Sequence, residues 1–362
     1  MTDEQYMKLA IEMAKTTEGQ TSPNPVVGAV LVHNNQVVGM GAHLKAGELH
    51  AERHALQMAG DKAEGATMYV TLEPCSHHGR TPPCADALIE AKVSKVVVAT
   101  KDPNPQVAGK GIKKLTSAGI TVVEGVLKHE ADQLNRTFFH AIQTKKPFVT
   151  LKSATSLDGK IATSKGESKW ITGDEARADV HYLRHIHDGI LVGVNTVLKD
   201  DPSLTTRMSG GGSHPVRIVL DHHLKTPLNA KLVTDGIAPT WIIASEASDS
   251  NKRDALEKLG VKVFTVGKEH IEIIELLYFL GEKKLNSLLV EGGGVINDSF
   301  LRSGEFDQVI VYLAPILIGG KEAYSSFSGL GIENLSNAVK LRIVEVTQTG
   351  SDIKITAEKE SV

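Results

Sequence analysis

Residues 50–91 read HAERHALQMAGDKAEGATMYVTLEPCSHHGRTPPCADALIEA. His50, Ala51 and Glu52 open a segment with helical period, residues 66–72 form a β-branched strand, and Pro82-Pro83 precede a second helix over 85–91. Strand and helices bring together one imidazole, one carboxylate and both of the chain's cysteines, Cys75 and Cys84. A catalytic zinc site keeps three protein ligands and one open position for water, and His50, Cys75 and Cys84 fill the three without using Glu52. The expected metal position lies between two helix starts, where the dipole and free N–H groups stabilise thiolates.

That donor order names a reaction class. In zinc deaminases the carboxylate two residues after the His is the general acid/base rather than a ligand. Zinc lowers the pKa of a bound water from about 15.7 to about 7, so hydroxide becomes available at neutral pH. Glu52 is placed to take that proton and pass it to a leaving amine, giving a carbonyl and ammonia. The eight residues between Cys75 and Cys84 depart from the usual Cys-x-x-Cys spacing. His54, His77 and His78 lie nearby and are expected outside the ligand set. Asn24, flanked by Pro23 and Pro25, reads either as a substrate contact or as a plain turn residue. His181 and His185 are four apart, but no third ligand accompanies them, so they read as core or solvated histidines.

Outward from this stretch, a helix is expected over 3–15 from the stripe Tyr6, Leu9, Ala10, Met13 and Ala14. Strands follow over 28–32 and 36–39, joined by the hairpin link His33-Asn34-Asn35. Strands over 93–100 and 120–124 complete a three-layer α/β pattern, and one helix over 130–144 leads to Lys145-Lys146-Pro147. That break sets a domain over 1–146 and another over 147–362. At 362 residues, two cores are the default. Strands in the second domain are expected over 148–152, 189–194, 216–220, 240–244, 261–266, 287–290 and 308–313, with helices between several of them. Residues 209–213 form a Gly-rich loop.

Hydrophobic residues at 41% and charged residues at 23% fit a folded soluble chain, and no apolar run is long enough to span a bilayer. The start Met1-Thr2-Asp3-Glu4 lacks a secretory signal's basic and apolar regions, so a cytoplasmic enzyme is expected. Two cysteines suit a metal site in a reducing compartment better than a disulfide framework. The net charge of −3 divides into about +1 for residues 1–146 and about −4 for the rest. Neither half carries the basic, aromatic face of a nucleic-acid platform, so small polar substrates are favoured.

In the second half, residues 287–297 run Ser-Leu-Leu-Val-Glu-Gly-Gly-Gly-Val-Ile-Asn, a strand ending in glycines before a helix. Such a turn either lets a phosphate approach helix N–H groups or serves tight helix–strand packing. It is not Gly-x-Gly-x-x-Gly, so the ordinary dinucleotide fingerprint is absent. Lys152 and Glu291 are candidates for polarising a sugar carbonyl and relaying a proton. Lys152 could instead pair with an acid beneath its strand. Arg184 and Arg207 carry the planar donors that suit a phosphate, or else belong to surface ion pairs.

Over essentially its full length, the chain resembles the RibD or RibG family of bifunctional riboflavin-biosynthesis deaminase/reductases. The resemblance rests in the first half on Ser22-Pro23-Asn24-Pro25-Val26-Val27-Gly28-Ala29-Val30, His50-Ala51-Glu52, Thr71-Leu72-Glu73-Pro74-Cys75 and Thr81-Pro82-Pro83-Cys84. In the second half it rests on Ser156-Leu157-Asp158-Gly159-Lys160, Lys169-Trp170-Ile171-Thr172, Asp200-Asp201-Pro202-Ser203-Leu204-Thr205 and Glu291-Gly292-Gly293-Gly294. The wide cysteine gap is characteristic of this branch. Arg53 departs from it, since a small apolar residue is expected there. Its side chain is expected to face away from the metal.

The resemblance implies a cytidine-deaminase-like α/β/α domain followed by a dihydrofolate-reductase-like α/β domain, with one Zn2+ and NADPH as cofactors. It implies deamination of 2,5-diamino-6-(5-phosphoribosylamino)pyrimidin-4(3H)-one, then NADPH-dependent reduction to 5-amino-6-(5-phosphoribitylamino)uracil. Ala154, Trp170, Thr172, Thr196, Asp200, Gly292, Gly293 and Gly294 would line the NADPH site. Ser168, Arg184, Leu204, Arg207 and Glu291 would hold substrate. A homo-oligomer is also implied, a tetramer among its forms. Two other classes remain to be separated: a nucleic-acid or free-nucleoside deaminase with an unrelated second domain, and a metal-dependent scaffold with a degenerate site.

Overall fold

A computed structural model describes residues 1–77, 82–104 and 107–360. His78 and Thr81, which belong to the stretches quoted above, lie outside the described residues. The chain divides into two compact units, Met1–Lys145 and Lys146–Val362. No helix among the described residues is long and apolar enough to cross a membrane.

In the first unit α1 (Asp3–Lys15) begins with a capping box, in which Thr2 Oγ1 accepts from Gln5 N and Gln5 Oε1 accepts from Thr2 N. The strands β1 (Gly28–His33) and β2 (Gln36–Ala42) form the expected hairpin. Asn34 and Asn35 both take positive φ, the backbone that a tight two-residue turn needs. There follow α2 (Ala51–Ala59), β3 (Thr67–Leu72), α3 (Cys84–Glu90), β4 (Lys95–Thr100), α4 (Lys110–Ser117) and β5 (Thr121–Glu124). The sheet runs β2-β1-β3-β4-β5, antiparallel up to β3 and parallel beyond it.

Alternation along β1 sets the three layers. Ala29 and Leu31 pack with Ala51, Ala55, Ala85, Leu88 and Leu115 of α2, α3 and α4. Val30 and Val32 face Tyr6, Met7, Ala10 and Ile11 of α1. Gly39 and Gly41 let α2 lie directly on β2, since a Cβ there would stand 2.1 Å from Ala55 O and 2.4 Å from Ala51 O. The single helix expected over 130–144 is two, α5 (Lys128–Leu134) and α6 (Arg136–Thr144). They part at the buried Asn135, whose side chain accepts from Val26 N at 3.0 Å and donates to Val26 O at 2.9 Å. A side chain that satisfies distant backbone competes with helical continuity.

The second unit opens with β6 (Phe148–Ser156), longer than expected because residues as far as Ser156 pair with the strand beside it. It continues with α7 (Asp174–Ile186), β7 (Gly189–Gly193), α8 (Val194–Asp200), β8 (Val216–Leu220), α9 (Lys231–Thr234) and β9 (Thr240–Ala244). Then come α10 (Ser250–Lys258), β10 (Lys262–Thr265), α11 (Ile273–Glu282), β11 (Ser287–Val290), α12 (Gly294–Ser303) and β12 (Gln308–Ala314). Two strands that the sequence reading lacked, β13 (Leu341–Thr349) and β14 (Asp352–Lys359), close the chain as an antiparallel hairpin. The nine-stranded order is β10-β9-β8-β7-β11-β6-β12-β14-β13. One face carries α11 and α12 on Val149, Leu151, Leu191 and Ile218. The other carries α7 on Leu289 and Ile310, and α8 to α10 on Ile190, Val192 and Ile242.

Candidate active sites

In the first unit, three local features deliver the donor atoms. His50 is the N-cap of α2, and Cys75 lies just beyond β3. Cys84 is the first residue of α3, after Pro83. The loop carrying Cys75 is held from behind by buried Glu73, which accepts from Gly109 N and Gly111 N at 2.9 Å each and from Ile112 N at 3.3 Å. Cys84 N donates to Cys75 Sγ at 3.3 Å, and Ala85 N donates to Cys75 O at 3.1 Å. His50 Nδ1 stands 3.6 Å from Cys75 Sγ and 3.3 Å from Cys84 Sγ, and all three donor atoms lie within 4.8 Å of one another.

The electrostatics suit a cation. The Cys84 thiol, then His50 and the Cys84 N–H, hold Cys75 down to about 4 against the effect of burial, while Cys84 beside that sulfur keeps its proton. One imidazole and two sulfurs converging in this way fit zinc in donor type and number. Glu52 is 3% exposed, and burial together with the neighbouring Cys75 pushes its carboxyl up to about 7. It is not one of the three mutually close donors.

His43 was not singled out from sequence, yet it packs edge-on against His50, with ring centres 5.2 Å apart. Its Nδ1 lies 3.1 Å from Leu49 O and its Nε2 3.0 Å from Asn24 Nδ2. A carbonyl only accepts and an amide nitrogen only donates, so His43 is the neutral Nδ1–H tautomer. Burial, which lowers its pKa, agrees. Arg53 turns to the Pro82-Pro83 segment, donating to Pro82 O at 3.3 Å and Pro83 O at 3.4 Å, and so braces the start of α3.

In the second unit, Glu291 follows β11 and meets cations from two elements. Arg184 of α7 grips it with Nε at 2.7 Å and Nη2 at 3.0 Å, while Lys152 Nζ of β6 stands 3.6 Å away. Burial raises the Glu291 pKa, but Arg184 and Lys152 outweigh it and hold the carboxyl at about 2. Arg184 Nη1 also donates to Thr205 O at 3.2 Å. His181, on the same helix, is held at about 4 by burial and then by Arg184 and Arg207, so it is neutral.

The family model for the RibD C-terminal domain matches residues 147–355, and that for the cytidine and deoxycytidylate deaminase zinc-binding region matches residues 1–100. Riboflavin biosynthesis protein RibD of Bacillus amyloliquefaciens is 51% identical over 355 residues, covering 98% of this chain and 96% of that one. The chain belongs to the RibD family. RibD of Escherichia coli (strain K12) is 42% identical over 366 residues, covering 98% of each chain. The solved structure of Acinetobacter baumannii RibD, form 1, superposes with a TM-score of 0.92 at 39% identity, covering 99% of both chains. As a RibD, this is a bifunctional enzyme of riboflavin biosynthesis, with a zinc-binding deaminase region and a reductase domain.

Other residues expected at the RibD reductase site are distributed unevenly. Trp170 is exposed and carries the Arg177 guanidinium 4.7 Å from its ring centre, while Arg177 Nη1 donates to Thr172 O at 2.5 Å. Ala154 packs in the cluster under α7. Ser168 and Thr196 are half-buried, and Asp200 and Arg207 are exposed. Leu204 is in the core under α8, so its side chain is committed to packing. The glycine turn divides between its two readings. A Cβ at Gly292 or Gly294 would meet Ile296 Cβ at 2.5 Å or Ser325 O at 2.4 Å, whereas at Gly293 it would meet nothing within 4 Å. Packing requires two of these glycines, and Gly293 faces open space. His181 and His185 join no metal-binding group among the described residues.

Proposed function

We propose that residues 1–146 deaminate 2,5-diamino-6-(5-phosphoribosylamino)pyrimidin-4(3H)-one, and that residues 147–362 reduce the product to 5-amino-6-(5-phosphoribitylamino)uracil. The observation that carries the first step is the His50, Cys75 and Cys84 trio beside buried, unligated Glu52. One zinc per chain, held by those three residues, supplies a Lewis acid and an activated water when bound. Glu52 accepts a proton from the water and passes it to the departing nitrogen. The C–N bond breaks, a carbonyl replaces the amine and ammonia leaves. Asn24, fixed against His43, offers its amide to the pyrimidine edge.

For the second step, NADPH supplies a hydride when bound. Ala154, Trp170, Thr172, Thr196, Asp200 and the Gly292 to Gly294 turn would hold it, with Gly293 leaving room for close approach. Lys152 polarises the sugar carbonyl and delivers the proton to its oxygen, which balances the reduction, while Glu291, an anion held by Arg184, keeps the ammonium in place. Ser168, Arg184, the Leu204 backbone and Arg207 hold substrate. Because Arg184 commits three N–H groups to Glu291 and Thr205, exposed Arg207 is the freer guanidinium for the phosphate. Free thiols at Cys75 and Cys84 fit a reducing cytoplasm, and a homo-oligomer belongs to the same reading.

The test supplies zinc-loaded protein with the diaminopyrimidine and follows ammonia, then NADPH absorbance. Ammonia release followed by oxidation that depends on the deaminated product is expected. Metal-free protein with full deaminase activity would remove the first assignment, and a flat absorbance trace the second.

A further inference from the structure

The ion-pair network in the second unit continues past Lys152. In the parallel register of β6 and β12, Ile310 pairs with Lys152 and Tyr312 with Ala154, so Tyr312 sits diagonally beside Lys152 on the face that α7 covers. Tyr312 is fully buried, and the Lys152 ammonium stands 5.9 Å from its ring centre. Its hydroxyl donates to Asp179 Oδ2 at 2.5 Å, and the same carboxylate takes Lys354 Nζ at 2.6 Å. Lys354 lies directly opposite Tyr312 in the β12/β14 ladder, its own ammonium 5.9 Å from the ring. Helix α7 therefore anchors both ends of one network, through Asp179 at Tyr312 and through Arg184 at Glu291.

Packing alone does not call for these groups. The surrounding cluster of Ala176, Val180, Leu183, Leu289 and Ile310 would accept an apolar residue at 312, whereas a buried hydroxyl costs free energy unless it is partnered. The network does supply a restraint that Lys152 otherwise lacks. At 3.6 Å from Glu291 its ammonium is beyond good hydrogen-bond distance, and Glu291 is already gripped twice by Arg184. An aromatic face within about 6 Å attracts an ammonium, and a ring whose hydroxyl is tied to Asp179 cannot turn away.

We propose that Tyr312, held by Asp179 and Lys354, is a positioning residue of the reductase that sets the Lys152 ammonium against Glu291. The inference rests on the reading that Lys152 serves reduction. The test uses the full chain with NADPH and the deaminated pyrimidine. Tyr312→Leu is expected to lower kcat about tenfold or more, with both KM values within about threefold, because the loss is of orientation rather than binding. Tyr312→Phe keeps the ring but releases it from Asp179, and is expected to lower kcat by less than Tyr312→Leu does. A folded Tyr312→Leu with parental kcat overturns the proposal, and so does a Tyr312→Phe as slow as the Leu variant. If Tyr312→Leu does not fold, Asp179→Asn and Lys354→Met carry the test, with a fall in kcat expected and unchanged kcat in both overturning it. Lys152→Ala separates the two layers. Full reduction in that variant removes the underlying reading, whereas its inactivity beside a fully active Tyr312→Leu removes the positioning role alone.

Discussion

Glu52 is buried and Glu291 only slightly exposed, and their neighbours drive them apart. Burial and then the Cys75 sulfur push Glu52 up to about 7, whereas for Glu291 the pull of Arg184 and Lys152 outweighs burial and holds it at about 2. The first environment suits a group that takes and gives protons, the second a permanent anion. Glu52→Gln is expected to cut ammonia release by roughly 10²- to 10⁴-fold while leaving zinc content at one per chain by metal analysis. A loss of zinc in that variant would make Glu52 a ligand. Glu291 has a folded pKa below its ordinary value of 4.5, so the unfolded chain binds more protons between the two. Its contribution to stability is therefore present above about 4.5 and is lost as pH falls through about 2. Glu291→Gln strands two largely buried cations and is expected to cost roughly 3 kcal/mol at pH 7, read by urea unfolding, and to flatten the acid limb. The convergence of His50, Cys75 and Cys84 was legible because each sits in a marked motif. His43 and Tyr312 were not, since nothing beside them in sequence marks the groups they meet.

Among the elements, most helices and strands follow the periodicity of their own residues, as the alternation of Ala29 to Val32 between two cores illustrates. The exceptions are instructive. The α5/α6 break depends on Asn135 reaching Val26, 109 positions away, and no local pattern announces such a bond. Asn135→Ala would leave a buried N–H and C=O of Val26 without partners, and a loss of about 2 kcal/mol or more is expected in thermal unfolding of the first unit. Asn135→Asp, which can accept but not donate, should fall between. The β13/β14 hairpin escaped the sequence reading for another reason. β13 is exposed along nearly its whole length as the edge of the sheet, so its side chains carry little of the inward and outward alternation that marks a half-buried strand.

For the molecule as a whole, each unit has its own sheet and its own cores, so each site can lose function separately. Chelation of zinc is expected to abolish ammonia release while NADPH oxidation with added deaminated pyrimidine continues, and a parallel loss of both activities would contradict this. Both tryptophans, Trp170 and Trp241, belong to the second unit. Chelation should therefore leave the tryptophan-detected unfolding curve in place while lowering the melting temperature seen by far-ultraviolet dichroism. By itself the sequence marked the His50, Cys75 and Cys84 trio that converges in the fold, the Glu52 carboxylate beside it, the two-part organisation and most element types, because hydrophobic period and motif spacing are properties of neighbouring residues. Only the tertiary structure decided that Arg184 is committed to Glu291, that Leu204 is core, that two of three glycines answer to packing, and that Tyr312 lies against Lys152. Those outcomes depend on which distant side chains share a buried space, where an unpaired charge or a clashing Cβ costs more than any local preference can offset.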